Sequence, residues 1–112
     1  MQRDDAYLLD IFLAAREALE FSASLTWETF QQSRLHQLAI MRALEIVGEA
    51  ARQLSQETRE AHPEIPWHQL IGLRNRLAHE YLDIDLAVVW DVVRNDPSKL
   101  IAAIAPLIPP EK

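Results

Sequence analysis

Four residues in the segment R-N-R-L-A-H-E-Y have side chains that can transfer a proton and hold a phosphate: Arg74, Asn75, His79 and Tyr81. A guanidinium carries a permanent charge and donates to phosphate oxygens through paired N–H groups. An imidazole exchanges protons near neutral pH. In such chemistry His79 takes a proton from a hydroxyl or gives one to a leaving oxygen, Arg74 holds the charged phosphate, and Asn75 orients either group. These side chains predict a site that works without a metal ion or a cofactor.

A helix that begins near Pro66 and ends near Tyr81 must position these residues, because apolar side chains recur there at helical spacing. At about 100° per residue, Arg74 falls in the middle of the apolar face. Asn75 and His79 are one turn apart and line the edge of that face. A guanidinium on a buried face needs a partner for its charge. The apolar face comprises Trp67, Leu70, Ile71, Leu73, Leu77, Ala78 and Tyr81.

Each of these residues also has a purely structural interpretation. A buried arginine usually forms an ion pair, and Glu45 or Glu49 on the preceding long helix is the expected counter-charge. His79 alone fits a helix cap, and Tyr81 alone fits the edge of a core. The clustering of all four residues within two turns favours a functional site over packing alone. The remaining histidines are scattered, and His68 is expected on the surface.

The rest of the chain predicts an all-α fold, an antiparallel four-helix bundle whose last helix is split. Asp96 and Pro97 are typical of a helix cap and a first helical position, so we expect one helix to stop at Asn95 and another to start there. The expected elements are a helix over 4–21, a connection over 22–31 anchored by Trp27 and Phe30, a helix over 33–54, a short helical piece over 55–62, the helix over 66–81, and a last arm that begins at Asp83 or Asp85 and ends near 106–110.

Composition limits the class of protein. The length of 112 residues predicts one domain over 1–112, and the hydrophobic fraction of 49% leaves apolar surface for an interface. The chain has no cysteine, which excludes disulfides and thiolate metal sites. A net charge of −6 argues against a generic nucleic-acid binder, although residues 63–82 are neutral and leave room for a small cationic site. We see no N-terminal signal or membrane span and expect a cytoplasmic protein without a membrane partner.

The motif and its surroundings resemble the HepT-like branch of the HEPN-domain ribonuclease toxins. The family signature is an arginine, a polar residue, a short gap, a histidine, one residue and a tyrosine, which matches Arg74 through Tyr81. Three further blocks in the same order support the resemblance: A-L-E-I-V-G-E-A-A-R at 43–52, P-E-I-P-W at 63–67 and G-L-R-N at 72–75. The resemblance covers roughly residues 4–108.

This resemblance implies a HEPN-like homodimer in which the arginine and histidine of both protomers meet in a cleft at the two-fold axis. It implies a metal-independent endoribonuclease toxin of a type VII-like toxin–antitoxin system, which cleaves RNA, tRNA included, by attack of the 2′-hydroxyl. Its catalytic residues are then Arg74, His79 and Asn75. It also implies a cognate nucleotidyltransferase antitoxin that silences the toxin by transferring AMP from ATP to Tyr81.

Two other functions remain open at this point. The chain can be a non-catalytic helical partner that docks its nucleotidyltransferase, with Arg74 and His79 holding the modified tyrosine or a nucleotide. It can also be a purely structural bundle. Toxicity on expression, and its relief by Arg74→Ala, separates an active ribonuclease from both alternatives.

Overall fold

A computed structural model of the chain describes residues 2–80 and 83–109. All regular structure in these residues is helical, which confirms the all-α prediction. None of the helices described is both long and apolar enough to cross a membrane. The elements are α1 (Gln2–Ser22), α2 (Trp27–Gln32), α3 (Arg34–Gln53), α4 (Gln56–Ala61), α5 (Trp67–Glu80) and α6 (Leu86–Ile104), followed by a 3₁₀ turn at Ala105–Leu107.

The four long helices, α1, α3, α5 and α6, pack around two clusters of buried apolar side chains. One cluster joins the first half of α1 and the start of α5 to the ends of α3 and α6. The other joins the ends of α1 and α5 to the starts of α3 and α6. Because the start of α1 and the start of α5 each meet the end of α3, α3 runs antiparallel to both helices. For the same reason α6 runs antiparallel to α1. α3 packs against both α1 and α5, and α1 also packs against α6. Representative members are Ile11, Val47, Leu70 and Ile104 in the first cluster, and Ala18, Ile40, Leu77 and Val89 in the second.

The last helix differs from the prediction. α6 runs without a break from Leu86 to Ile104, so the expected split at Asn95–Pro97 is wrong. A proline inside a helix removes one backbone hydrogen bond and costs about 3 kcal/mol. The buried stripe of α6 nevertheless continues through Pro97, which is itself buried, and burial of this continuous stripe outweighs the lost hydrogen bond. The stripe consists of Val89, Val93, Pro97, Leu100 and Ile104.

The segment predicted as a connection between α1 and α3 contains a short helix, α2, because both of its ends are capped. The hydroxyl of Thr26 accepts from the Thr29 backbone N–H at 3.2 Å, and the Thr29 hydroxyl accepts from the Thr26 N–H at 2.8 Å. At the other end, the side-chain amide of Gln37 donates to the Phe30 carbonyl at 2.9 Å. Phe30 is fully buried and stacks on Trp90 with ring centroids 5.0 Å apart, as expected of an anchor.

The short helix α4 buries none of its side chains, and hydrogen bonds to α1 hold its first turn. The carboxylate of Asp4, which is buried, accepts from the Ser55 backbone N–H at 3.1 Å. It also accepts from the hydroxyls of Ser55 and Thr58, each at 2.6 Å. These bonds lower the pKa of Asp4, with the Ser55 hydroxyl the largest cause and the Thr58 hydroxyl the next. The carboxylate therefore stabilises the fold only while it is ionised.

Replacing Asp4 by asparagine tests this contribution. Because the pKa of Asp4 is lower in the folded chain than its ordinary value of 3.8, its stabilisation is complete above that value and is lost as the pH falls through the folded-state pKa. We expect Asp4→Asn to lower the free energy of unfolding by about 1–2 kcal/mol at pH 7. Urea titrations at pH 7 and pH 3 measure the difference, which should shrink at pH 3. Asp10→Asn, at an exposed position of α1, is the control.

Candidate functional site

Three of the predicted site residues, Arg74, Asn75 and His79, lie on α5, which packs closely against α3. Gly48 of α3 makes this close approach possible, because a methyl group at that position would overlap the Cβ of Arg74. The same methyl group would lie 2.5 Å from the carbonyl oxygen of Leu70. The stem of Arg74 therefore packs directly against the α3 backbone, as its place in the middle of an apolar face predicted.

Glu49, the residue after Gly48, is the counter-charge to Arg74. The Nε atom of Arg74 lies 2.8 Å from the Oε1 atom of Glu49, and the Arg74 side chain is 23% exposed. Both atoms are buried, but within residues 2–80 and 83–109 neither has a hydrogen-bond partner, so the contact is an ion pair whose N–H is not aligned. The other candidate, Glu45, pairs instead with Arg42 at 3.4 Å.

Glu49 is shared between two arginines. Its Oε2 atom accepts from Arg52 at 3.0 Å and from Gln53 at 3.2 Å. The hydrogen bond from Arg52 is the largest cause of a lowered pKa at Glu49, followed by the one from Gln53, and the charge of Arg74 acts in the same direction. The carboxylate is thus ionised at neutral pH. Sequence analysis missed Arg52 and Gln53, although their spacing of three and four residues from Glu49 on one helix was the available signal.

The structure joins Arg74 and Asn75 by a hydrogen bond, whereas His79 is exposed. Asn75 accepts this hydrogen bond from the Nη1 atom of Arg74 at 3.0 Å through its Oδ1 atom. His79 lies one turn after Asn75, and within the described residues no hydrogen bond joins it to Arg74. Positions five residues apart on a helix differ by about 140° in direction, so Arg74 and His79 leave α5 on different sides. Tyr81, the predicted modification site, lies outside the described residues.

A groove of about 390 Å³ runs between α3 and α5, close to the end of α5 that carries His79. Leu38 and Met41 line it on α3, and Leu77 and Ala78, the two residues before His79, line it on α5. Leu38 is 43% exposed. The ion pair between Arg42 and Glu45 also lines the groove, which therefore combines apolar and charged side chains.

The other histidines do not join this site. The Nδ1 atom of His36 lies 2.6 Å from the Ser33 hydroxyl at the start of α3, and His62 lies 3.7 Å from Glu64. His68 is exposed, as predicted. Over 2–80 and 83–109, the structure shows no group of three histidine, aspartate or glutamate side chains that could hold a metal ion.

A methyl group at Gly48 should disturb both the packing and the ion pair. We expect Gly48→Ala to lower the free energy of unfolding by about 1–3 kcal/mol, because the helices must separate to admit the methyl group. Chemical denaturation measures this loss. Ala43→Gly, also on α3, creates a small defect without forcing α3 and α5 apart and serves as the control. Equal stability of Gly48→Ala and the parent protein would contradict the close approach.

Comparisons with known proteins agree with the motif. The chain matches the family model described as "Ribonuclease HepT-like" over residues 11–107. It is 38% identical over 95 residues to "Putative RNase MJ1380" of Methanocaldococcus jannaschii, across 85% of this chain and 87% of that protein. It is 38% identical over 90 residues to "Probable ribonuclease HepT" of Thermococcus cleftensis, across 80% of this chain and 82% of that protein. "Putative RNase TTE0752" of Caldanaerobacter subterraneus is 29% identical over 112 residues, the full length of both chains. No solved structure matches the chain significantly.

Proposed function

Because the chain belongs to the HepT-like ribonuclease family, we propose that it is a metal-independent endoribonuclease toxin. Its site contains Arg74, Asn75 and His79, and it is active as a homodimer. The names of the relatives support the reaction class. The orientation of Arg74 supports the choice of site.

The arrangement of Arg74 is the observation that carries this proposal. Its Nε edge faces Glu49 at 2.8 Å, and Nη1 donates to Asn75 at 3.0 Å. Within the described part of the chain, Nη2 makes no hydrogen bond to another side chain or to the backbone. A guanidinium fixed on one edge and open on another is suited to a phosphate oxygen, because little rotational freedom is lost on binding. Asn75 and Glu49 act as positioning residues for this group.

The reaction needs one proton acceptor and one cation. His79 accepts the proton of a ribose 2′-hydroxyl, whose oxygen then attacks the adjacent phosphorus. The bond from phosphorus to the 5′-oxygen breaks, and the products are a 2′,3′-cyclic phosphate and a 5′-hydroxyl that takes up a proton. Arg74 stabilises the additional negative charge on the phosphate oxygens in the transition state. Exposure of His79 leaves it accessible to the RNA.

The homodimer is supported by two features. Arg74 contacts Glu49 of α3 whereas His79 is exposed, and within the described residues no hydrogen bond joins these two side chains of one protomer. The groove between α3 and α5 ends close to His79 and offers exposed Leu38 together with the charges of Arg42 and Glu45 to a second copy. In such a dimer, Arg74 and His79 of both protomers meet in one cleft, as in the HEPN-like arrangement, and Arg74 of one protomer acts with His79 of the other on one phosphate.

Loss of either group should abolish cleavage. We expect His79→Ala to lower the rate of RNA cleavage by at least about 100-fold, because general base catalysis contributes that much. Arg74→Ala should lower it by a similar factor. The measurement is cleavage of a labelled RNA, tRNA included, by protein purified without antitoxin. Arg94→Ala, an exposed cation on α6, is the control. Equal cleavage by His79→Ala and the parent protein would contradict the proposal, and no cleavage by any form would favour a non-catalytic partner of the nucleotidyltransferase.

Mixing the two inactive variants tests whether the site is shared. In a dimer of Arg74→Ala with His79→Ala, one of the two shared sites keeps both groups. After random exchange of protomers, activity should recover to about a quarter of the parent level, since half of the dimers are mixed and each has one intact site. A site contained in one protomer predicts no recovery.

Regulation by Tyr81 is the second part of the proposal. A cognate nucleotidyltransferase transfers AMP from ATP to the Tyr81 hydroxyl: the phenol oxygen bonds to the α-phosphorus, pyrophosphate leaves, and the hydroxyl proton goes to solvent. Tyr81 is two residues after His79 in the sequence. The added phosphate and nucleoside then compete with RNA for Arg74 and cover His79.

Coexpression with the cognate nucleotidyltransferase should therefore add AMP and remove ribonuclease activity. Intact mass spectrometry detects each added group, and we expect none on Tyr81→Phe, which should remain an active ribonuclease in the presence of the antitoxin. The chain contains two tyrosines, so Tyr7→Phe is the matched control and should still be modified and silenced. Modification of Tyr81→Phe would contradict the assignment.

A further inference from the structure

The helix α5 carries more basic than acidic side chains. It contains two arginines, two histidines and one acidic residue, Glu80, in a protein whose net charge is −6. The counter-charge to Arg74 comes from α3 instead. α5 is therefore a segment of this acidic chain that can face a polyanion.

Four residues form a line along the solvent side of α5: His68, Gly72, Asn75 and His79. Their spacings of four, three and four residues place them on one face, and all four are exposed. The line, which we call the α5 track, is about 16 Å long at 1.5 Å per residue. A nucleic-acid strand rises about 3.4 Å per nucleotide in a duplex, so a strand held at His79 extends over several of its nucleotides along the track.

Gly72 has no role in the packing of the chain itself. A methyl group built on it would meet no atom within 4 Å, in contrast to Gly48. Glycine inside a helix is less stable than alanine because it loses more backbone freedom on folding. Because Gly72 has no side chain and lies in the middle of the α5 track, a ligand can approach the helix backbone closely at this position.

The His68 end of the track opens into a groove of about 640 Å³ between α4 and α5. Gln56 and Arg59 line it on α4, Gln69 joins His68 on α5, and Trp67 adds an apolar wall. Amide, imidazole and guanidinium groups match the donors and acceptors of a base edge and a phosphate. One carboxylate, Glu60, also lines the groove, where it accepts a hydrogen bond from Gln56 at 2.8 Å.

Hydrogen bonds fix the α4 side of this groove, although α4 contributes no buried side chain to the core. The indole N–H of Trp67 donates to the carbonyls of Arg59 and His62, at 3.1 Å and 3.0 Å. Asp4 holds the other end of α4. In the residues that the structure describes, Arg59 forms no ion pair, and its buried Nε has no hydrogen-bond acceptor. The groove is thus preformed and carries one cation, Arg59, and one carboxylate, Glu60, which form no ion pair with each other in those residues.

We propose that single-stranded RNA follows the α5 track across Gly72 and places a nucleotide that flanks the cleavage site in the groove between α4 and α5. The inference rests on the proposed ribonuclease function, to which it adds a second contact region. Arg59 holds the phosphate of the flanking nucleotide, and His68, Gln56 and Gln69 contact its base. A minimal dinucleotide reaches His79 but not this groove.

Binding and cleavage by two variants test the proposal. Gly72→Gln blocks the track, and the double variant His68→Ala/Gln69→Ala strips the groove wall on α5. The probes are a ten-nucleotide RNA that contains one cleavable step, the corresponding dinucleotide, and the ten-nucleotide strand with 2′-O-methyl groups, which cannot be cleaved. We expect kcat/KM on the long RNA to fall at least about tenfold more than on the dinucleotide, mainly through KM, and Kd for the methylated strand to rise by a similar factor.

Gly72→Ala separates a binding effect from a folding effect. Alanine should raise the melting temperature by about 4 °C, because it removes the cost of glycine inside a helix. If Gly72→Ala binds the methylated strand more weakly although it is more stable than the parent protein, the added methyl group has blocked the close approach of RNA to the α5 backbone. Ala102→Gln adds a side chain at an exposed position of α6 and should bind like the parent protein.

The outcomes distinguish this inference from the proposed function. Normal cleavage and binding of the long RNA by Gly72→Gln would overturn the α5 track and leave the ribonuclease proposal intact. A change of oligomeric state in Gly72→Gln, measured by light scattering, would also overturn it, since a second copy would then be what approaches Gly72. If no form cleaves RNA, the methylated strand still decides: binding that depends on Gly72 and His68 supports the track, and binding that is absent or independent of them overturns it.

Discussion

The close packing of α3 against α5 at Gly48 is the constraint on which the site depends. Because position 48 has no side chain, the stem of Arg74 lies against the α3 backbone, and the next residue, Glu49, comes within 2.8 Å of its Nε. One contact therefore fixes both the spacing of the helices and the direction of the guanidinium. The apolar stem is buried and the charged end remains partly exposed, so the cost of desolvating the charge stays small.

Little unpaired positive charge is left near this site, because two arginines share one carboxylate. Glu49 serves both Arg74 and Arg52, so these three side chains together carry a single net positive charge. The rest of the protein is acidic, with a total of −6. At physiological salt, charges farther away than about 8 Å are largely screened, so the acidic surface repels an approaching polyanion only weakly at a distance. Recognition of RNA then depends on contacts at short range. Such contacts favour an RNA whose shape fits the site, whereas long-range attraction would favour every nucleic acid equally.

Helical periodicity predicted α1, α3 and α5 to within about two residues, because the pattern of buried positions is local. The same reasoning predicted a helix break at Pro97, and this prediction was wrong. Packing of the buried stripe of α6 against other helices outweighs the local tendency of proline to end a helix. The choice between Glu45 and Glu49 also stayed open, since the two residues are one turn apart on α3 and only the packing at Gly48 separates them. The bonds from Asp4 to Ser55 join residues 51 positions apart and leave no local pattern in the sequence.

The separation of Arg74 from His79 bears on how one phosphate can meet both groups. Rotation of Arg74 toward His79 within one protomer would break its contact with Glu49 and leave that carboxylate paired with Arg52 alone. A second protomer can supply the imidazole while Arg74 stays where it is. This second route leaves the contact between Arg74 and Glu49 intact, which agrees with the proposed homodimer.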